Sequence, residues 1–294
     1  MATSAKTASL AGTADIPVRR MDFEFDDAVP KYWFGGDPLR TMILTALSCT
    51  FPEGERMFMR SVRHFQAGVT DPVLQKQVRA FIGQEAHHGK EHEAFNAFMG
   101  RKGVPTAFVE KYTKVGIGRE EEFFSPERML AKTCALEHFT AMFAETLLEH
   151  PDLIADIDDR LKPLWLWHAI EESEHKSVAF DVYQDQVGSY WVRTSEMALT
   201  TVLFTFFSAL HTHHLMKDDV EAKPYRQGVK KRLTGLWQHR QILKELGKHY
   251  LQYYRPDFHP SQKDSSFLRR KGLKKLQEWV GDRATGAPEL QAQA

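Results

Sequence analysis

Four stretches of this sequence place carboxylates on helix faces that otherwise read as apolar. Leu44, Leu47, Ser48, Phe51, Phe58, Val62 and Phe65 recur in steps of three and four, the spacing of one helix face, and Glu55 falls on that face while Glu53 does not. Val78, Phe81, Ile82 and Phe95 set a second stripe that includes Glu85, His88 and His92. Leu130, Cys134, Ala141 and Ala144 set a third around Glu137, and Leu164 and Ala179 set a fourth around His168, Glu172 and His175. Burying an ionised carboxylate costs several kcal/mol unless a cation or hydrogen bonds offset it. A chain with this pattern is therefore constrained to bring the four faces together around something positive.

Two of the stripes contain Glu-x-x-His, as Glu85-Ala86-His87-His88 and Glu172-Ser173-Glu174-His175. Residues three apart on a helix are neighbours, so each Glu and His can face one centre. One Glu from each of two helices plus Glu-x-x-His from each of two others is the ligand set of ferritin-like dimetal bundles. Glu55, Glu85 with His88, Glu137, and Glu172 with His175 supply it in order. The gaps agree: 30 residues from Glu55 to Glu85 and 35 from Glu137 to Glu172 each suit one antiparallel hairpin. The 52 residues between Glu85 and Glu137 hold the long crossover that this topology needs. The fold expected is all-α, a ferritin-like four-helix bundle with extra C-terminal helices. A lone Glu-x-x-His arises readily by chance, and the competing reading is a buried Glu/His hydrogen-bonded network without metal.

Four carboxylates and two imidazoles form a hard to borderline donor set that suits two ions of iron, with manganese or zinc compatible. His92 and His168 lie one turn from the ligands on the same faces and are the candidates for proton transfer, further ligation or support of the ligands. Cys134, Phe58 and Phe81 are candidates to line the site, with Phe95, Phe139 and Phe143 as further apolar surroundings. His87, Glu91, Glu171 and Glu174 fall off the stripes and read as surface groups or outer partners. His211, His213 and His214 resemble a metal tract, but a structural reading is preferred for them.

Along the chain, residues 1–17 read as a disordered tail and 18–37 as an ordered lead-in with aromatic anchors. Asp37-Pro38 and Asp71-Pro72 carry helix-start signals, a capping residue followed by Pro. Pro52 and Gly54 predict a kink or break near Phe51, and residues 101–125 read as turn-rich, with one short helical piece at most. Ser125-Pro126 starts a third helix. A fourth is expected over 151–188, broken near Pro163. Residues 18–216 form the bundle, including an apolar helix at 197–216 that has no Asp, Glu, Lys or Arg. That segment contains five Thr/Ser and three His, so a buried helix, or one lying against a membrane or lipid, is preferred over a span. Residues 217–294 are a basic helical extension: between 217 and 283, 17 Lys+Arg stand against 8 Asp+Glu, in a chain of zero net charge. With Trp237, Tyr250, Tyr253 and Tyr254 interleaved, this part allows peripheral contact with anionic lipid. No nucleic-acid motif accompanies it. Two cysteines, Cys49 and Cys134, point to a reducing compartment, so the expected location is cytoplasmic, with membrane association and a homodimer both admissible.

The lead-in Val18-Arg19-Arg20-Met21-Asp22-Phe23-Glu24-Phe25 and the motifs Phe51-Pro52-Glu53-Gly54-Glu55-Arg56, Gln84-Glu85-Ala86-His87-His88 and Trp167-His168-Ala169-Ile170-Glu171-Glu172-Ser173-Glu174-His175-Lys176 resemble a bacterial family of predicted metal-dependent hydrolases with a ferritin-like fold. The resemblance covers residues 18–260 and implies metal and hydrolysis. The residues themselves are read first as a diiron centre for oxygen-dependent oxidation of an apolar or lipid-like substrate, because of the apolar surroundings. Hydrolysis by a metal-activated water is the alternative, and non-catalytic iron handling or a structural metal core is the third.

Overall fold

The computed structural model describes residues 16–222 and 240–286. The described residues are all-α, with one isolated bridge between Phe34 and Ile157. Helix α1 (Pro38–Gln66) starts where Asp37 accepts from the Leu39 and Arg40 amides. Helix α2 (Pro72–Arg101) starts where Asp71 accepts from the Val73 amide. The five residues between them fold α2 back along α1, so that Ser48 meets Asn96 and Glu55 lies against Gly89. Helix α4 (Pro126–Glu149) and helix α5 (Lys162–His175) form the second pair.

Helix α1 runs unbroken through Pro52, against the expected kink or break. Pro52 has no N–H to offer the carbonyl of Ser48, one turn earlier. Asn96 supplies the missing donor: its Nδ2 reaches the Ser48 carbonyl at 3.1 Å. The residues expected to be turn-rich form instead an 18-residue helix α3 (Thr106–Phe123), despite Gly116 and Gly118. Tertiary contacts outweigh the glycine penalty, because α3 lies along α1 and α2, with Glu121 on Arg60 and Glu110 on Asn96. The crossover from one hairpin to the other is thus itself a helix.

The fourth expected helix is divided differently from the sequence reading. A short 3₁₀ turn (Pro151–Ile154) precedes α5, Pro163 sits in the first turn of α5 rather than at a break, and the break falls at Lys176-Ser177, before α6 (Val178–Gln186). Lys176 there is buried and donates to Glu145, the Lys263 carbonyl and Ser265. The apolar segment belongs to a longer helix α7 (Tyr190–Met216), packed on α1 and α4. No helix among the described residues is long and apolar enough to cross a membrane.

Helix α8 (Arg240–Gln252) covers α4, and helix α9 (Ser266–Val280) covers α5, where Gly272 lets it approach Leu148 and Ile170. Trp237 and most of the 217–239 charge lie outside the described residues. Val18, Met21, Val29 and Trp33 of the lead-in are buried, as is Ile16 just before it. The apolar core falls into two bodies. One gathers Met42, Phe95, Trp33, Trp165 and Trp167, and the other Met57, Val62, Val78, Phe81 and Tyr183. Along α1, α2 and α5–α6, the polar site residues occupy the gap between them.

Candidate metal centre

Glu55, Glu85, His88, Glu137, Glu172 and His175 are all buried and converge at one level of the helices. Ligand atoms of Glu85, Glu137 and His175 lie within 4.8 Å of one another, as do those of Glu55, His88 and His168, and a third group of Glu85, His88 and Glu172 joins the two. The His175 Nε2 atom is 3.1 Å from Glu85 Oε1 and 3.5 Å from both Glu137 Oε2 and Glu172 Oε2. Two donors bound to one ion at about 2.1 Å each stand on the order of 3–4 Å apart, so these spacings fit ligands of common ions.

The inward atoms lack partners. Both carboxylate oxygens of Glu55, Glu85 and Glu137, Glu172 Oε2, His88 Nδ1 and His175 Nε2 are buried without a hydrogen bond. Buried polar groups are almost always paired, and nine orphaned atoms facing one centre fit residues that hold cations. Their outward atoms, in contrast, are held. His88 Nε2 donates to Glu171 Oε2 at 3.0 Å and His175 Nδ1 donates to Gln84 Oε1 at 2.8 Å. These bonds place each ring proton on the outer nitrogen and leave a lone pair on the inner one, as metal-binding histidines require.

The charge balance points the same way. Burial, then the surrounding carboxylates, pushes Glu55 and Glu85 well above the usual carboxylate range, and burial pushes Glu137 up to about 8. Burial also opposes ionisation of Glu172, but His168 and His175 outweigh it and hold Glu172 well below that range. Burial opposes charge on His175, yet Glu137 and Glu172 raise it to about 9. His88 and His92 are driven well below the usual imidazole value by burial and by neighbouring rings.

His168 and His92 form one hydrogen-bonded line with α1. Asn96 Nδ2 donates to Glu110, so its Oδ1 accepts from Ser48 Oγ at 2.7 Å. Ser48 Oγ then accepts from His92 Nδ1 at 2.8 Å, and His92 Nε2 accepts from His168 Nδ1 at 2.9 Å. The His168 ring thereby turns Nε2 inward, 3.1 Å from Glu172 Oε1. A third histidine therefore presents an inward donor atom beside the six.

The other expected residues are spread more widely. Phe81 meets the His175 ring edge-on with centroids 5.0 Å apart. Phe58 lines a cavity at the site, whereas Cys134 is buried in the core and does not line it. Phe95 packs under Trp33 and Trp165 and Phe143 is exposed, whereas Phe139 stacks on Phe204 of the cavity wall. Glu91 and Glu171, off the stripes, are buried: Glu91 accepts from the Asp22 and Phe23 amides, and Glu171 pairs with Arg19. His213 is exposed and His214 stacks on Phe108, and among the described residues the three C-terminal histidines of α7 do not gather as a metal group.

Sequence reasoning missed three supporting residues. Arg19 is buried and bridges Glu171, Glu174 and the Ala284 carbonyl, fixing the carboxylate that orients His88. Gln84 orients His175. Gly89 leaves room for Glu55, whose Oε2 would stand 3.3 Å from a Cβ there. A glycine in mid-helix, directly after a candidate ligand, was the available signal for the last.

Beside the carboxylates a cavity of about 160 Å³ opens between α1, α3, α4 and α7. Glu55 and Glu172 belong to its wall, and the rest is mainly apolar, including Met57, Phe58, Ile117, Leu136 and Phe204. Thr113 Oγ1, Thr200 Oγ1 and both ring nitrogens of His211 face this region buried and unpartnered.

Comparison with known proteins yields one family. Residues 17–264 match the family described as predicted metal-dependent hydrolase. No curated protein and no solved structure matches the chain. The match corrects the first functional reading of the sequence: it supports hydrolysis, the alternative, over oxygen-dependent oxidation of a lipid-like substrate. That reading took apolar surroundings for the mark of an oxidising centre, but such walls exclude water and select substrates in hydrolases as well. With clustered Glu and His side chains that could hold metal and a match over most of its length, the chain belongs to the predicted metal-dependent hydrolase family.

Proposed function

We propose that this chain is a hydrolase acting through two divalent ions held by Glu55, Glu85, His88, Glu137, Glu172 and His175 in a ferritin-like bundle. The observation that carries the reading is the set of orphaned donor atoms turned to one centre while both histidines are tied down on their outer sides. Glu85, Glu137 and His175 form one half and Glu55 with His88 the other, with Glu172 between and His168 beside it as the base. The donor types suit manganese, iron or zinc.

Bound ions would lower the pKa of a coordinated water toward about 7 and polarise the bond to be cleaved. The protein's own part is proton handling and orientation. His168 would take a proton at Nε2, facing Glu172, while His92 Nε2 accepts its Nδ1–H across 2.9 Å and fixes the ring. Ser48 and Asn96 hold the His92 ring so that its Nε2 accepts. Phe51 lies against both rings, with centroids 4.8 Å and 4.9 Å away, and shields the pair from water.

The test is metal analysis of protein purified without added metal, followed by anaerobic assay of ester, amide and phosphoester substrates with manganese or zinc. Bound metal near two per chain, and hydrolysis lost in Glu172→Gln, is the expected result. Undiminished metal content in Glu85→Ala and Glu172→Ala would remove the ligand assignment, and turnover that requires oxygen would remove hydrolysis.

A further inference from the structure

We infer that the cavity between α1, α3, α4 and α7 receives an apolar chain of roughly six to eight carbons belonging to the molecule that is hydrolysed. The inference rests on the hydrolase reading for its chemistry, but its evidence is separate: the shape and lining of the cavity. Glu55 and Glu172 stand in the wall, so whatever fills the cavity touches the reacting centre. The remaining wall is overwhelmingly carbon, with a few unpartnered polar atoms from Thr113, Thr200 and His211. An apolar enclosure with a few placed polar groups is the usual form of a small-molecule site.

Size limits the occupant. Cavities near 150 Å³ hold a benzene-sized guest, and this one is about 160 Å³. Its α3 wall runs from Tyr112 to Glu120, a rise of about 12 Å at 1.5 Å per residue. The Glu120–Lys132 ion pair lies at one end and His211 at the other. A membrane-lipid tail is too long for such a space, and a two-carbon acyl group leaves most of it unfilled.

Ile117 gives a way to shorten the cavity. It lines the α3 side and is half-buried there, so a larger ring in its place takes up cavity space. Leu136→Trp, from the α4 wall, is the second variant.

The experiment titrates the purified protein with primary n-alkanols from butanol to dodecanol, by displacement of a fluorescent apolar dye. Neutral alcohols need neither metal nor turnover. Affinity should rise about fourfold per added methylene and stop rising near six to eight carbons. Ile117→Trp and Leu136→Trp should each move that break to shorter chains by several carbons. A parallel series of p-nitrophenyl esters with the metal-loaded protein should show the same break in kcat/KM. A rise that continues past ten carbons points to adsorption on the exposed Val202, Phe206 and Leu210 row of α7 and overturns the inference, as does a break that neither variant moves. A break in alcohol binding without ester hydrolysis leaves the cavity's ligand in place and removes the hydrolase reading. Hydrolysis indifferent to chain length does the reverse.

Discussion

Replacing Asn96 by Leu tests how α1 carries Pro52 without breaking. Asn96 is fully buried and not far from Leu in volume, so the change removes hydrogen bonds and leaves little cavity. Three bonds go: Nδ2 to the Ser48 carbonyl at 3.1 Å, Nδ2 to Glu110 at 3.0 Å, and Ser48 Oγ to Oδ1 at 2.7 Å. At about 1 kcal/mol each, the Glu110 bond discounted because that carboxylate reaches water, the loss is about 2–3 kcal/mol. The diagnostic step is to add Pro52→Ala. That change brings an N–H one turn after Ser48, so the carbonyl orphaned in Asn96→Leu regains a helical donor. In the native background that carbonyl is already satisfied, and the new N–H adds less. Urea denaturation of the four proteins should therefore give a coupling of about 1 kcal/mol between the two sites, with Pro52→Ala more favourable when combined with Asn96→Leu. Equal effects in both backgrounds, within about 0.3 kcal/mol, would refute the idea that Asn96 replaces the donor Pro52 lacks.

Arg19→Met strands Glu171 and Glu174 without their cation, which should cost about 3–5 kcal/mol of stability by denaturant titration. Glu171→Gln and Gln84→Leu should leave the fold intact yet lower metal affinity by roughly 10–100-fold, read by competition with a chelating dye, because each releases the outer side of a ligand histidine. Gly89→Ala should weaken metal binding through Glu55, and full native affinity in that variant would contradict the packing described. Metal affinity should climb with pH through about 8 and 9, where Glu137 and His175 give up their protons in the metal-free protein. Both groups have raised values in the fold, so their contribution to metal-free stability is present at low pH and lost as pH rises through those values. Thermal melts of chelated protein should fall between about pH 6.5 and 9, above the range in which the depressed His88 and His92 oppose the trend.

The faces that converge were legible because a period of three to four residues assigns each side chain a direction, and buried Glu55 could be separated from Glu53 on that ground alone. Phe143 was misplaced because apolar character does not say whether a residue has a neighbour to cover it. Helix α3 was missed because Gly116 and Gly118 weaken local preference, while its support from Asn96 and Arg60 is distant in sequence. The same holds for the continuity of α1 at Pro52, which depends on Asn96 in a different helix. Arg19 and Gln84 carry no periodic signal; their roles arise only from which carboxylate or ring stands opposite.

The two apolar bodies of the core meet across the ring of carboxylates and imidazoles. Few hydrogen bonds cross that ring, so an ion seated in it would be as much a fastener as a reagent. Because α1 and α2 run unbroken through both bodies, a seated ion should stiffen the bundle as one unit, and its removal should lower hydrogen-exchange protection on both sides of the ring together.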